Sequence, residues 1–136
     1  MSEDKIAFIK KINGSAEFNR WCGFDVVACS EGAVELAMPW RPEVGQYSGF
    51  LHAGLVAALI DTACGFAAAT LAGPNLLAAH FSVNCLRPAQ GEKFIARARV
   101  VKPGKQQIFT SCELFAVSNG AEKLVATGET LLSVVG

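Results

Sequence analysis

The chain has 136 residues, 51% of them hydrophobic and 18% charged, with 12 lysines and arginines balanced by 12 aspartates and glutamates. It is long enough to bury one core and too apolar for a disordered segment, so residues 1–136 read as a single domain; with no net charge it lacks the basic surface that grips nucleic acid. The charges are unevenly spread: 18% of the 43 residues at 44–86 is about eight, yet that stretch holds one, Asp61.

The N-terminal Met-Ser-Glu-Asp-Lys is acidic and no apolar run follows, so no signal peptide is expected. Ile6, Ile9 and Ile12 recur every three residues with lysines between, which predicts a short amphipathic helix. Residues 18–24, with Trp21, read as a connecting segment. Residues 26–28 and 33–38 read as strands around a Glu31-Gly32 turn, with Val34, Leu36 and Met38 on one face, and Pro39 and Pro42 end this hairpin-like region. Residues 40–49 read as a polar loop. The apolar, alanine-rich run at 51–71 predicts a helix, stopped by Gly73-Pro74. His52, Asp61, Thr62 and Thr70 interrupt it, so it reads as the buried helix of a soluble protein rather than a membrane span.

Beyond it the pattern alternates. Phe81, Val83 and Cys85 share a face of a strand ending at Arg87-Pro88, and Phe94, Ala96, Ala98 and Val100 share a face of the next, ending at Lys102-Pro103-Gly104. Residues 108–117 and 124–134 are two more strands, joined at Ser118-Asn119-Gly120, a strong hairpin signal. The order β-α-β-β-β-β with consecutive hairpins predicts an α+β fold: a curved antiparallel sheet wrapped around one long central helix, with a short N-terminal helix. The five cysteines are odd in number, widely spaced and without a Cys-x-x-Cys, which fits reduced thiols in a cytoplasm and not a disulfide framework or zinc site. No metal-ligand spacing and no phosphate-binding glycine loop is present.

Asp61 is the chief candidate for chemistry. Its neighbours at helical spacing, Gly54, Ala57, Ala58, Gly65 and Ala68, are all small and none is a cation. A buried, unpaired carboxylate is costly and has a raised pKa, which suits a general base; a structural Asp bonded to hydroxyls or backbone is the alternative. His52 and Ala53 open the helix, where the first N–H groups lack internal partners and face an anion or a developing oxyanion. By itself His52 reads as a core or capping histidine. Ala53 and Asp61 lie eight residues apart, roughly 12 Å of helix rise, so one atom meets both only across a groove or with a second subunit. His80, Ser82 and Asn84 share a strand face that reads as solvent-facing rather than as a polar lining.

The run Gly49-Phe50-Leu51-His52-Ala53-Gly54, then Asp61 and Gly65, resembles the signature of hotdog-fold acyl-CoA thioesterases of the phenylacetate-degradation (PaaI) type. The later Asn84-Cys85-Leu86-Arg87-Pro88-Ala89, Gly91 and Lys102-Pro103-Gly104-Lys105 resemble that family's strand-end Arg-Pro-Ala and its basic glycine turn. The resemblance implies a hotdog fold and residue roles. Asp61 would be base or nucleophile against the thioester. The N–H of Ala53, alanine in place of the family's glycine, would polarise the carbonyl beside His52 and Gly54. Gln46 would stand for the family's asparagine. Ala78 falls where some members carry a hydroxyl from the neighbouring subunit. Arg87, Lys102 and Lys105 are the candidates for the coenzyme A phosphates.

The resemblance also implies a homodimer joined edge to edge, with sites at the interface and dimers pairing into homotetramers. The substrate would be an aromatic or fatty acyl-CoA, with coenzyme A as part of it and no separate cofactor, metal, nucleic acid or membrane partner. The expected function is hydrolysis to free acid and coenzyme A. The alternatives are a non-catalytic acyl-CoA binding or sensing module and a hotdog hydratase or dehydratase. The last is disfavoured because one such group carries histidine five residues after the acid, where this chain has Phe66.

Overall fold

The computed structural model describes residues 2–136. The isoleucine stripe makes α1 (Ser2–Ser15), followed by α2 (Glu17–Cys22), β1 (Asp25–Ser30), β2 (Ala33–Pro39), a 3-10 turn (Pro42–Val44), α3 (Ala53–Ala72), β3 (Leu76–Cys85), β4 (Lys93–Lys102), β5 (Gln107–Ser118) and β6 (Ala121–Val134). One six-stranded antiparallel sheet runs in the order β1-β2-β4-β5-β6-β3. Its inner face closes on α3, which touches every strand from β2 to β6. This is the hotdog arrangement.

Alternation explains the core. Val34, Leu36 and Met38 of β2 and Phe94, Ala96 and Ala98 of β4 are buried, as the period-two pattern predicts. Register pairs Leu36 with Ala96, and Ala96 with Leu114, so the buried rows run straight across the sheet. Against them α3 lays Val56, Leu59, Ile60, Ala63 and Ala67, all buried. Sheet and helix come close at Gly128: a Cβ there would lie 2.7 Å from Ile60 Cγ2 and 2.8 Å from the Ser82 carbonyl oxygen. Asn119 and Gly120 both have positive φ, 52° and 78°, which is the two-residue hairpin turn of the primed type.

Three expectations need correcting. Residues 18–24 contain the helix α2, too short to show a period; its one sequence mark is Gly23, left-handed at φ 80°, whose N–H closes the helix on the Asn19 and Arg20 carbonyls. Residues 40–49 are less irregular than a polar loop: Val44 is buried, Pro42 starts the 3-10 turn, and Gly45 pairs with Leu51. The consecutive-hairpin picture fails at β3. The first β of the pattern is a hairpin of two strands, and β3 pairs with β6 instead of β4. Phe81, Val83 and Cys85 do face inward, opposite Thr130, Gly128 and Ala126. Phe81 is nevertheless 46% exposed, because β3 lies at the margin of what α3 covers.

The two sheet edges differ. β1 is short, carries a bulge between Val26 and Ala28, and lies under α1. β3 is ten residues long and almost wholly exposed, with a bulge between Ala78 and His80 but no lysine, acid or proline. Natural edge strands are usually blunted by such features.

Candidate active site

The start of α3 is held by a network of backbone bonds. The His52 N–H donates to the Val44 carbonyl at 3.0 Å, and the Leu51 N–H donates to the Ala89 carbonyl at 2.9 Å. His52, extended at φ −61° and ψ 138°, is the N-cap. Its Nδ1 accepts the Gly54 N–H at 2.8 Å, and its carbonyl accepts the N–H groups of Leu55 and Val56 at 2.9 and 3.0 Å. Among the described residues this leaves one N–H at the helix start without an acceptor, that of Ala53, which is exposed. His52 is therefore a capping histidine, and its cap selects which N–H stays free.

Gln46 sits in the same loop. Its Oε1 accepts the Ser48 N–H and, at 3.2 Å, the Phe50 N–H. Both bonds need an acceptor, which fixes the amide orientation and leaves the NH2 group as a free donor. Gly49, at φ 86°, makes the turn that allows this. Gln46, His52, Ala53 and Arg87 line one groove of about 600 Å³, floored by Leu51, Ala89 and Val125.

Asp61 lines a different cavity, of about 210 Å³, with Thr62, Gly65 and Ala78. Its carboxylate has no hydrogen bond or ion pair among the described residues, and burial pushes its pKa up. Ala78 of β3 is opposite Leu132 of β6, and both line this cavity. Within one subunit the structure thus brings Gln46, His52, Ala53 and Arg87 together, and brings Asp61 and Ala78 together, but keeps the two sets apart by two turns of α3. Lys102 and Lys105 belong to neither cavity; Lys102 ends β4 and Lys105 follows it, roughly 30 Å along the strand from the Arg87 loop.

Sequence reasoning missed Ile12, Leu76 and Leu132, which wall the Asp61 cavity. Ile12 belongs to the same stripe as Ile9, yet Ile9 is fully buried and Ile12 only half so, and nothing in the spacing distinguishes them. The broad depression on the outer sheet face is a weaker candidate. Of the two arginines that line it, Arg97 is committed to Glu122 through two 2.7 Å bonds and to Glu35 at 3.4 Å, and the other charged residues of its lining, Glu35, Glu113, Glu129 and Arg99, disfavour an apolar ligand.

A helix-start N–H free to meet an oxyanion, an amide donor beside it and an unpaired carboxylate form the equipment for attack on a polarised carbonyl. Comparison with known proteins points the same way. A model of the Thioesterase superfamily matches residues 48–122. Human acyl-coenzyme A thioesterase 13 is 30% identical over 131 residues, covering 94% of this chain and 92% of that protein. A thioesterase family protein from Silicibacter pomeroyi superposes with a TM-score of 0.92 at 34% identity, covering 97% of this chain and 99% of the other. The E. coli PaaI protein shares the fold, with a TM-score of 0.87 at 21% identity over 99% of this chain and 96% of its own.

Proposed function

The chain belongs to the thioesterase superfamily and is a thioester hydrolase, and we propose that it hydrolyses acyl-coenzyme A to the free acid and coenzyme A. The observation that carries this reading is the unpartnered Ala53 N–H at the start of a buried helix, opening on a groove. An oxyanion forming on the thioester carbonyl meets that N–H, aided by the positive end of the helix dipole. The free NH2 of Gln46 is a second donor to the carbonyl or the attacking water. Asp61 takes the proton of that water or attacks the carbonyl itself; burial without a partner cation keeps it basic. Water, donors and a carboxylate suffice for the step, so no cofactor or metal is needed. Heavy-oxygen water in a single turnover separates the two roles, since only a nucleophilic Asp61 takes up label.

Ala53 and Asp61 of one subunit are too far apart to act on one carbonyl. The site is therefore made by two subunits joined along β3, the long uncharged edge, with Asp61 from one and Ala53 from the other. Arg87, beside the groove, is the contact for the coenzyme A phosphates; Lys102 and Lys105, roughly 30 Å along β4 from it, are out of reach of the same coenzyme A within one subunit. The free thiols and the helical core suit a cytoplasmic enzyme. A thiol-release screen over short, long and aromatic acyl-CoAs tests the activity; absence of thiol release from every member of the panel overturns it.

A further inference from the structure

The cavity beside Asp61 has a shape of its own. Asp61, Gly65 and Ala69 succeed one another at four-residue spacing along α3, so the cavity is a trough running about two turns, roughly 12 Å, parallel to the helix. Its other walls are Phe66, Leu76 of β3, Leu132 of β6 and, from α1, Ile12. Apart from Asp61 and Thr62 at one end, the lining is apolar, with no cation. Gly65 is informative. A Cβ placed on it would meet nothing within 4 Å. Packing within the subunit therefore does not require glycine there, although glycine in mid-helix is less stable than alanine. The bare backbone keeps the trough open next to the carboxylate.

We infer that this trough holds the acyl tail of the substrate, and that Ile12, reaching in from the N-terminal helix, is a specificity-determining residue that sets the width of the tail. The inference rests on the acyl-CoA reading above and deepens it. The tail it fits is uncharged and apolar, because a terminal carboxylate or ammonium would be buried against alkyl walls with no partner. Its size follows from volume. A cavity of about 150 Å³ holds a benzene ring, and the trough has about 210 Å³. It takes one aromatic ring on a short linker, or a medium-length alkyl chain of the same bulk; a long fatty chain or a fused ring system extends beyond its walls. The N-terminal helix thus joins the substrate site although it lies outside the segment that matches the family model.

The test uses butyryl-, octanoyl-, phenylacetyl-, naphthylacetyl- and palmitoyl-CoA for hydrolysis, and the matching S-alkyl thioethers, which bind without being cleaved, for calorimetry. The wild type ranks octanoyl and phenylacetyl above the rest. Ile12→Ala raises naphthylacetyl relative to butyryl by about tenfold or more, the scale of a methylene or two in an apolar pocket, and Ile12→Val moves the ratio the same way by less, which covers an Ile12→Ala chain that fails to fold. Gly65→Ala, which the helix accepts, lowers phenylacetyl relative to butyryl. A merely structural role, including a role of Gly65 in subunit contact, scales all substrates together and leaves these ratios fixed. Hydrolysis with ratios unmoved by any of the three substitutions overturns the trough assignment and leaves the enzyme reading standing. Thioether binding that follows the predicted order without hydrolysis of any acyl-CoA does the reverse. Neither binding nor hydrolysis overturns both.

Discussion

Replacing Ala53 by proline removes one hydrogen-bond donor at little cost to the fold. Ala53 is the first residue of α3, where proline is tolerated because the N–H has no helical acceptor. A proline drives the residue before it to extended backbone, and His52 already sits at φ −61° and ψ 138°. The N–H that disappears is the one without an acceptor among the described residues. Stability should hold or rise by about 0.4–1 kcal/mol, through reduced freedom of the unfolded chain. Turnover should fall about 10²–10³-fold, since removing one oxyanion donor costs about 2.7–4 kcal/mol of transition-state stabilisation. Thermal unfolding and thiol release are measured together, with Ala53→Gly as the control that keeps the N–H. A ring that only crowds the groove raises KM; a lost oxyanion donor lowers kcat. A folded Ala53→Pro enzyme with wild-type kcat would refute the oxyanion assignment.

Asp61→Asn should stabilise the fold by about 1 kcal/mol at neutral pH, the low end of the cost of an unpaired buried polar group because the side chain keeps partial solvent contact. Burial raises the folded pKa, so the Asp61 contribution to stability is fully present below the ordinary aspartate range and is lost as pH rises through the raised value; equal gaps between variant and wild type in acid and at neutrality contradict this. The same substitution lowers hydrolysis about 10²–10⁴-fold, and the acid limb of wild-type kcat/KM lies above the ordinary aspartate range. Refolding Asp61→Asn and Ala53→Pro subunits together in equal amounts makes half the dimers mixed, each with one whole site, and restores about a quarter of wild-type turnover; a mixture as inactive as its parents removes the two-subunit site. Gly128→Ala forces a Cβ against Ile60 and the Ser82 carbonyl and should cost about 1–3 kcal/mol in chemical denaturation, while a wild-type midpoint would mean that the helix and β6 have room to part.

Much of this was legible in the residues because local rules and tertiary environment agree. Alternation gave the inner rows of β2 and β4, Asn119-Gly120 gave its turn, and the alanine-rich run with Gly73 gave α3 to within two residues at its start. The isolation of Asp61 in a charge-free stretch marked the carboxylate that the structure leaves unpaired. What was hidden depended on partners distant in sequence. Nothing in 76–85 says that the strand pairs with β6, since pairing is set by the whole sheet. The N-terminal isoleucines carry one period but two fates. Gln46 shows an amide at a suggestive place, but that its oxygen is taken by the Ser48 and Phe50 N–H groups follows only from the turn at Gly49.

The long, uncharged edge at β3 makes the chain's early life different from its working one. A newly made subunit offers ten residues of open backbone, Leu77 and Phe81 among them, to whatever strand it meets first. In the proposed two-subunit site a second copy joins at this edge, so that copy and an aggregate compete for the same amide groups. Recovery of active protein is then governed by how quickly copies find one another. Expression level, temperature and chaperone supply set the yield, and a fully stable fold does not by itself protect a chain that has not yet met its mate.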